Sequence, residues 1–279
     1  MLSLTGMALN QVNFEQPPGD PGRYGPDSAI WQVHGDFSSM LCGGISALLL
    51  QMLHPLALAG VWDHSRFRED IYGRLRRTSL FISATTFAPA PVAEQLIERV
   101  RAIHLQINGT DSASTPYAAS DPDLLTWVHV AECRSFMAAH LRYRRRIVTT
   151  EQQDQYYREA AHIALALGAR HVPASCADIA DYLAQMRPRL RCDERTRDVA
   201  RVLFQAPAPS LLARPAVAIM LHGGVDLLPD WASQMLGLTQ SGLRRRMVRA
   251  GVHSLATVIR GCVRNGAYHC AMRRMGRPL

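Results

Sequence analysis

A chain of 279 residues, 48% hydrophobic and 19% charged, holds enough apolar material for a large core, which excludes wholesale disorder. The net charge of +8 is carried without a single lysine, and the arginines are spread along the chain rather than gathered, so no nucleic-acid partner is expected. Six widely separated cysteines form no CxxC pair and read as reduced thiols; with no sign of a secretory leader, a cytoplasmic setting is expected.

Residues 1–26 contain Pro17, Pro18, Pro21, Pro26 and several glycines, and read as an extended arm. Residues 27–240 carry helical periodicity and helical punctuation with no convincing strand, which predicts a single all-α domain. The run from Met40 to Trp62 has no charged residue and is long enough to span a bilayer by length alone. Gly43, Gly44, Gln51, His54 and Pro55 weigh against spanning, so a helix buried on all sides is expected, with a kink marked by His54 before Pro55.

Helical spacing then places Arg74, Arg77 and Thr78 on one face. From Pro91 to Asn108, Val92, Leu96, Val100, Ile103 and Ile107 form a core stripe with His104 at its border, and Asn108-Gly109 ends the helix. Asp121-Pro122 marks a helix start, Thr150 with Gln153 matches a capping box, and Gly168 marks a stop. Further helices are predicted over about 176–187, 193–206, 211–222 and 241–264. The basic segment 241–279 is taken as part of the same domain; peripheral membrane contact is open to it, but a terminal helix with one packed face is preferred.

Eleven histidines invite a metal, yet the chain has no HExxH, no Cys/His zinc spacing, no second ExxH beside Glu159–His162 and no GxSxG. What fits is a site needing one strong protein ligand, and haem is such a cofactor: iron takes one imidazole, arginines pair with the propionates, and apolar faces enclose the ring.

Several ordered runs carry a family resemblance. These are Gly44–Pro55, Gly60–Phe67, Gly73-Arg74-Leu75-Arg76-Arg77-Thr78, Val100-Arg101-Ala102-Ile103-His104, Tyr117–Pro122 and Leu125-Thr126-Trp127-Val128-His129. Together they resemble the catalytic domain of the MpaB and rubber oxygenase (latex-clearing protein) family. The resemblance implies an all-helical fold with a globin-like core holding haem b. It further implies an RxxHxxxR helix with the proximal His and a distal RxxKT motif. By position, Arg101 and His104 match the first, with Asn108 in place of its second Arg, while Arg74 and Thr78 match the second, with Arg77 in place of its Lys.

A guanidinium does not easily coordinate iron as a neutral amine does, so a five-coordinate or water-bound site is expected, along with a smaller substrate than polyisoprene. His129 is the rival iron ligand, with His54 and His64 as weaker pocket candidates. The expected function is therefore a haem b-dependent oxygenase acting with dioxygen or peroxide on an apolar or aromatic small molecule. The iron would be held by His104, and Arg74, Arg77 and Thr78 would serve the reaction. A non-catalytic haem-binding or sensor protein, or a cofactor-free helical binding protein, are the alternatives.

Overall fold

The computed structural model describes residues 12–144 and 148–277. The first eleven residues of the expected N-terminal arm and the final two of the basic segment lie outside them. The order is α1 (Ala29–His34), α2 (Phe37–Gln51), α3 (Pro55–His64), α4 (Ile71–Phe87), α5 (Ala90–His104), β1 (Asn108–Thr110), β2 (Pro116–Ala118), α6 (Pro122–Tyr143) and α7 (Thr150–Leu167). Then come α8 (Cys176–Met186), a 3-10 turn at Arg187–Arg189, α9 (Glu194–Gln205), α10 (Arg214–Asp226), α11 (Asp230–Met235), α12 (Gly242–Cys262) and α13 (Ala267–Arg274).

The fold is mostly helical, with one correction: β1 and β2 pair antiparallel, Gly109 opposite Tyr117, as a small hairpin after α5. Local chemistry sets the helix starts. Asp36 accepts from the backbone N–H groups of Ser38 and Ser39 and Asp121 from those of Asp123 and Leu124, each filling donors that a helix leaves unsatisfied. The capping box before α7 is Thr149 with Gln152, one residue earlier than the sequence suggests, and α7 ends on Gly168 at φ 110°, a left-handed conformation natural to glycine.

The uncharged run is two helices rather than one, α2 and α3 meeting at a bend of 105°. Pro55 opens α3 and His54, extended at φ −85° and ψ 119°, precedes it. Backbone groups freed at the break find partners elsewhere: Trp127 Nε1 donates to the Gln51 carbonyl (3.2 Å) and the Arg191 N–H to that of Leu53 (2.9 Å). Among the described residues no single helix is long and apolar enough to cross a membrane, and α2 is packed into the core.

Helices α2 and α6 form the central pair, with α10 and α12 stacked on α2, while the α4–α5 hairpin packs on α1, α7 and α13. Glycines permit the closest approaches. A Cβ on Gly43 would lie 2.7 Å from the Phe136 ring, and one on Gly224 would lie 2.4 Å from Ile45 Cγ2. Two carboxylates that are almost fully enclosed tie the layers together: Asp36 to Arg260 and Asp226 to Arg142 and Arg249. On α12, Arg244 meets His222, while Arg245 and Arg249 meet Asp230 and Asp226, so this end of the basic segment is largely engaged within the fold.

Arg274, 4% exposed, closes the molecule. Its guanidinium donates to the carbonyls of Phe14, Asp20 and Phe87, each at 2.8 Å, so the arm is pinned against α13 and the end of α4. Arg274→Ala is expected to lower stability by about 2 kcal/mol, given hydrogen bonds from a charged donor worth about 1.5–3 kcal/mol each before relaxation. Limited proteolysis should then cut within residues 14–26; cleavage at the wild-type rate would refute a clamping role.

Candidate active site

Between α2, α4, α6 and α13 lies a groove of about 200 Å³ with a mainly apolar lining. That is room for a small ligand, below the roughly 300–1,000 Å³ of a drug-sized site. From α4, Arg74, Thr78 and Ile82 face it at steps of four, as helical geometry requires. The α2 side contributes Gly44, Leu48 and Gln51. Gly44 is notable because a Cβ there would meet nothing within 4 Å, so this backbone forms an open wall of the groove.

Arg74 is half-buried and donates through Nη1 to Ser65 Oγ (3.0 Å), with no carboxylate of the described residues in ion-pair range. Burial first, then the like charge of Arg77, pulls its pKa down to about 10, which leaves it cationic at neutral pH. Thr78 spends its hydroxyl proton on the Arg74 carbonyl at 3.2 Å. Arg77, the third member of the expected face, is exposed, pairs with Asp70 at 3.5 Å and is not part of the groove lining.

Glu132, on α6, also lines the groove and makes no hydrogen bond or ion pair among the described residues. Burial alone raises its pKa to about 7. His34, at the end of α1, shares the lining, but both its nitrogens are committed: Nδ1 to Thr86 Oγ1 (2.9 Å) and Nε2 to the Tyr156 hydroxyl (3.1 Å). Because Thr86 Oγ1 already donates to the Ile82 carbonyl (2.7 Å), it accepts from His34 Nδ1–H, and Nε2 must accept from Tyr156. Burial lowers the His34 pKa to about 3, so the ring is neutral. Tyr156 in turn reaches the Cys133 thiol, and burial raises both of their pKa values well above the ordinary range.

The sequence-derived histidines fall outside this lining. His104 ends α5, and its Nδ1 is buried without a hydrogen-bond partner; burial lowers its pKa and favours the neutral imidazole. His129 is buried on α6 beside Cys133, 3.5 Å from its sulfur, with its pKa pushed by burial down to about 4. His54 stacks near Trp127 at 5.9 Å, its Nδ1 also buried and unpartnered. His64 Nε2 bonds the Asn108 carbonyl at 3.2 Å, so Asn108, at the start of β1, supplies backbone here. Arg101 is exposed on α5. The structure thus brings Arg74 and Thr78 together with Glu132 and His34, two residues that no motif or spacing in the sequence marks. The one advance signal for Glu132 is a carboxylate in the middle of the otherwise largely apolar Leu124–Met137 stretch.

A carboxyl and a guanidinium that share an apolar recess without pairing to each other are the kind of convergent polar groups found in ligand-binding pockets. The chain matches, over residues 31–261, the family described as ER-bound oxygenase mpaB/B'/Rubber oxygenase, catalytic domain, and it belongs to that family. No curated protein and no solved structure matches it. Oxygenase membership makes it an oxidoreductase that needs dioxygen, a substrate and an oxidative cofactor.

Proposed function

We propose that the protein is a haem b-dependent oxygenase acting on an apolar or aromatic small molecule, with His104 as the iron ligand and the α4 groove as the substrate site. Its family membership supports the reaction class. The observation that carries the haem reading is His104 itself: a desolvated, neutral imidazole whose buried Nδ1 has no partner. A neutral imidazole is the form that ligates iron, and an orphaned nitrogen of this kind is costly unless something occupies it.

Among the described residues no three His, Cys, Asp or Glu side chains are placed to hold a bare metal ion, whereas a porphyrin brings four ligands of its own and asks for one. The donor set therefore fits haem. When bound, haem supplies the redox chemistry with dioxygen or peroxide that an oxygenase needs. Arg74, cationic and without a carboxylate partner among the described residues, is suited to a propionate or to developing negative charge. Leu48, Ile82 and Phe136 exclude water, and Glu132 holds a proton near neutral pH.

Absorption spectra of protein expressed with ample haem test the reading. The wild type and His129→Ala should show a Soret band and His104→Ala should lose it. A wild type without the band would remove haem, and loss in His129→Ala alone would move the ligand to α6.

A further inference from the structure

Glu132 stands out in the groove because, among the described residues, none bonds to it or pairs with it. Its neighbours in the lining are His34 from α1, Gln51 from α2, Arg74 from α4 and His269 from α13, and none of them bonds to it. A half-buried carboxyl in an apolar recess, with no side-chain partner, is stabilised by a ligand in one of two ways, by a cation or by staying protonated and donating to an acceptor. A cationic ligand is disfavoured here, because the same recess already holds the Arg74 charge and the chain carries a net charge of +8. A neutral oxygen acceptor remains.

We propose that Glu132 is the recognition group of the groove, its carboxylic acid donating one hydrogen bond to a carbonyl or ether oxygen of an otherwise apolar ligand. This rests on the groove being the substrate site and is independent of haem. The ligand class follows from the lining: Leu48, Ile82 and Phe136 accept hydrocarbon or an aromatic ring, and Glu132 accepts one polar atom among them. Such a site discriminates against the hydrocarbon analogue, since without the acceptor the acid is again unpaired.

The pH dependence isolates the residue. His34 is neutral, Cys133 and Tyr156 stay protonated, and Arg74 stays charged across the neutral range. His269 has its pKa lowered by burial and by Arg273 and Arg264, which places its titration on the acid side of 6.5. Glu132, raised by burial to about 7, is the group whose donor is lost as pH rises through neutrality.

The test uses the full chain with the neutral dye N-phenyl-1-naphthylamine as reporter, displaced by 2-acetylnaphthalene or by its near-isostere 2-ethylnaphthalene. At pH 5.5 the ketone should compete about tenfold better than the hydrocarbon, the size expected for one buried hydrogen bond. The preference should disappear by pH 8.5. Glu132→Gln, with an amide N–H in the same place, should keep the preference at both pH values, and Glu132→Leu should lose it at both. A preference that survives in Glu132→Leu, or that titrates unchanged in Glu132→Gln, overturns the proposal. Gly44→Leu, which projects a side chain into the open wall, separates the underlying reading: dye binding indifferent to it removes the groove as the site. Dye binding lost in Gly44→Leu, with the Glu132 variants behaving like wild type, keeps the groove and rejects Glu132.

Discussion

Asp226→Ala is expected to destabilise the protein by about 3–5 kcal/mol, in keeping with the loss of one partner from a buried ion pair. The Asp226 side chain is 0% exposed. It accepts from Arg142 Nη1 at 2.9 Å, from Arg249 Nε and Nη2 at 2.8 and 2.9 Å, and lies 3.3 Å from the Tyr143 hydroxyl. Removing it leaves two guanidinium groups facing each other across the α6, α10 and α12 junction. Both keep roughly a third of their surface in water, 37% and 36%, which places the loss toward the lower end. Asp226→Asn should cost less, since the amide oxygen still accepts. Urea midpoints at constant slope give the comparison, and a loss below about 1 kcal/mol would show that the pair does not hold these helices together.

Two glycines should respond to the same substitution with opposite signs. Gly224→Ala forces a methyl to 2.4 Å from Ile45 Cγ2 and 3.0 Å from the Cys42 carbonyl, so α10 must move off α2. A cost of about 3 kcal/mol is expected, at the upper end for overpacking, since backbone is among the atoms that must give. Gly44→Ala meets nothing within 4 Å and lies within α2, where alanine is favoured over glycine by about 0.5–1 kcal/mol, so a gain of that size is expected. Thermal melts of the two variants decide it. Equal signs would contradict the packing of α10 on α2 or the openness of the groove wall.

Asp121-Pro122 before α6 and Gly168 after α7 are local chemistry, legible without knowing any neighbour. The β1–β2 hairpin was not legible, because three-residue strands carry no usable alternation. The uncharged run from Met40 to Trp62 reads as one buried helix from composition, and His54-Pro55 hints at the break; the partners that make a 105° bend tolerable, Trp127 and Arg191, come from distant segments.

The site divides in the same way. The face shared by Arg74 and Thr78 follows from helical spacing, and the pairing of Arg77 with Asp70, the N-cap seven residues earlier, is local too; which of these residues reaches the groove depends on how α4 is rotated in the fold. Spacing cannot distinguish the solitary nitrogen of His104 from the fully engaged ring of His34, since the difference lies in Thr86 and Tyr156. Glu132 is unusual only because of what surrounds it, and burial is a property of the assembled helices rather than of the segment.

The clamp made by Arg274 has a consequence for how the chain reaches this shape in the cell. Its carbonyl partners at Asp20 and Phe14 lie 254 and 260 residues earlier, so the early segment leaves the ribosome long before the guanidinium that anchors it. At elongation rates of about 5–20 residues per second, the wait is on the order of 10–50 s. During that interval the end of α4 and the α13 side of the groove stay uncovered, so the nascent chain exposes this apolar recess before it can close it.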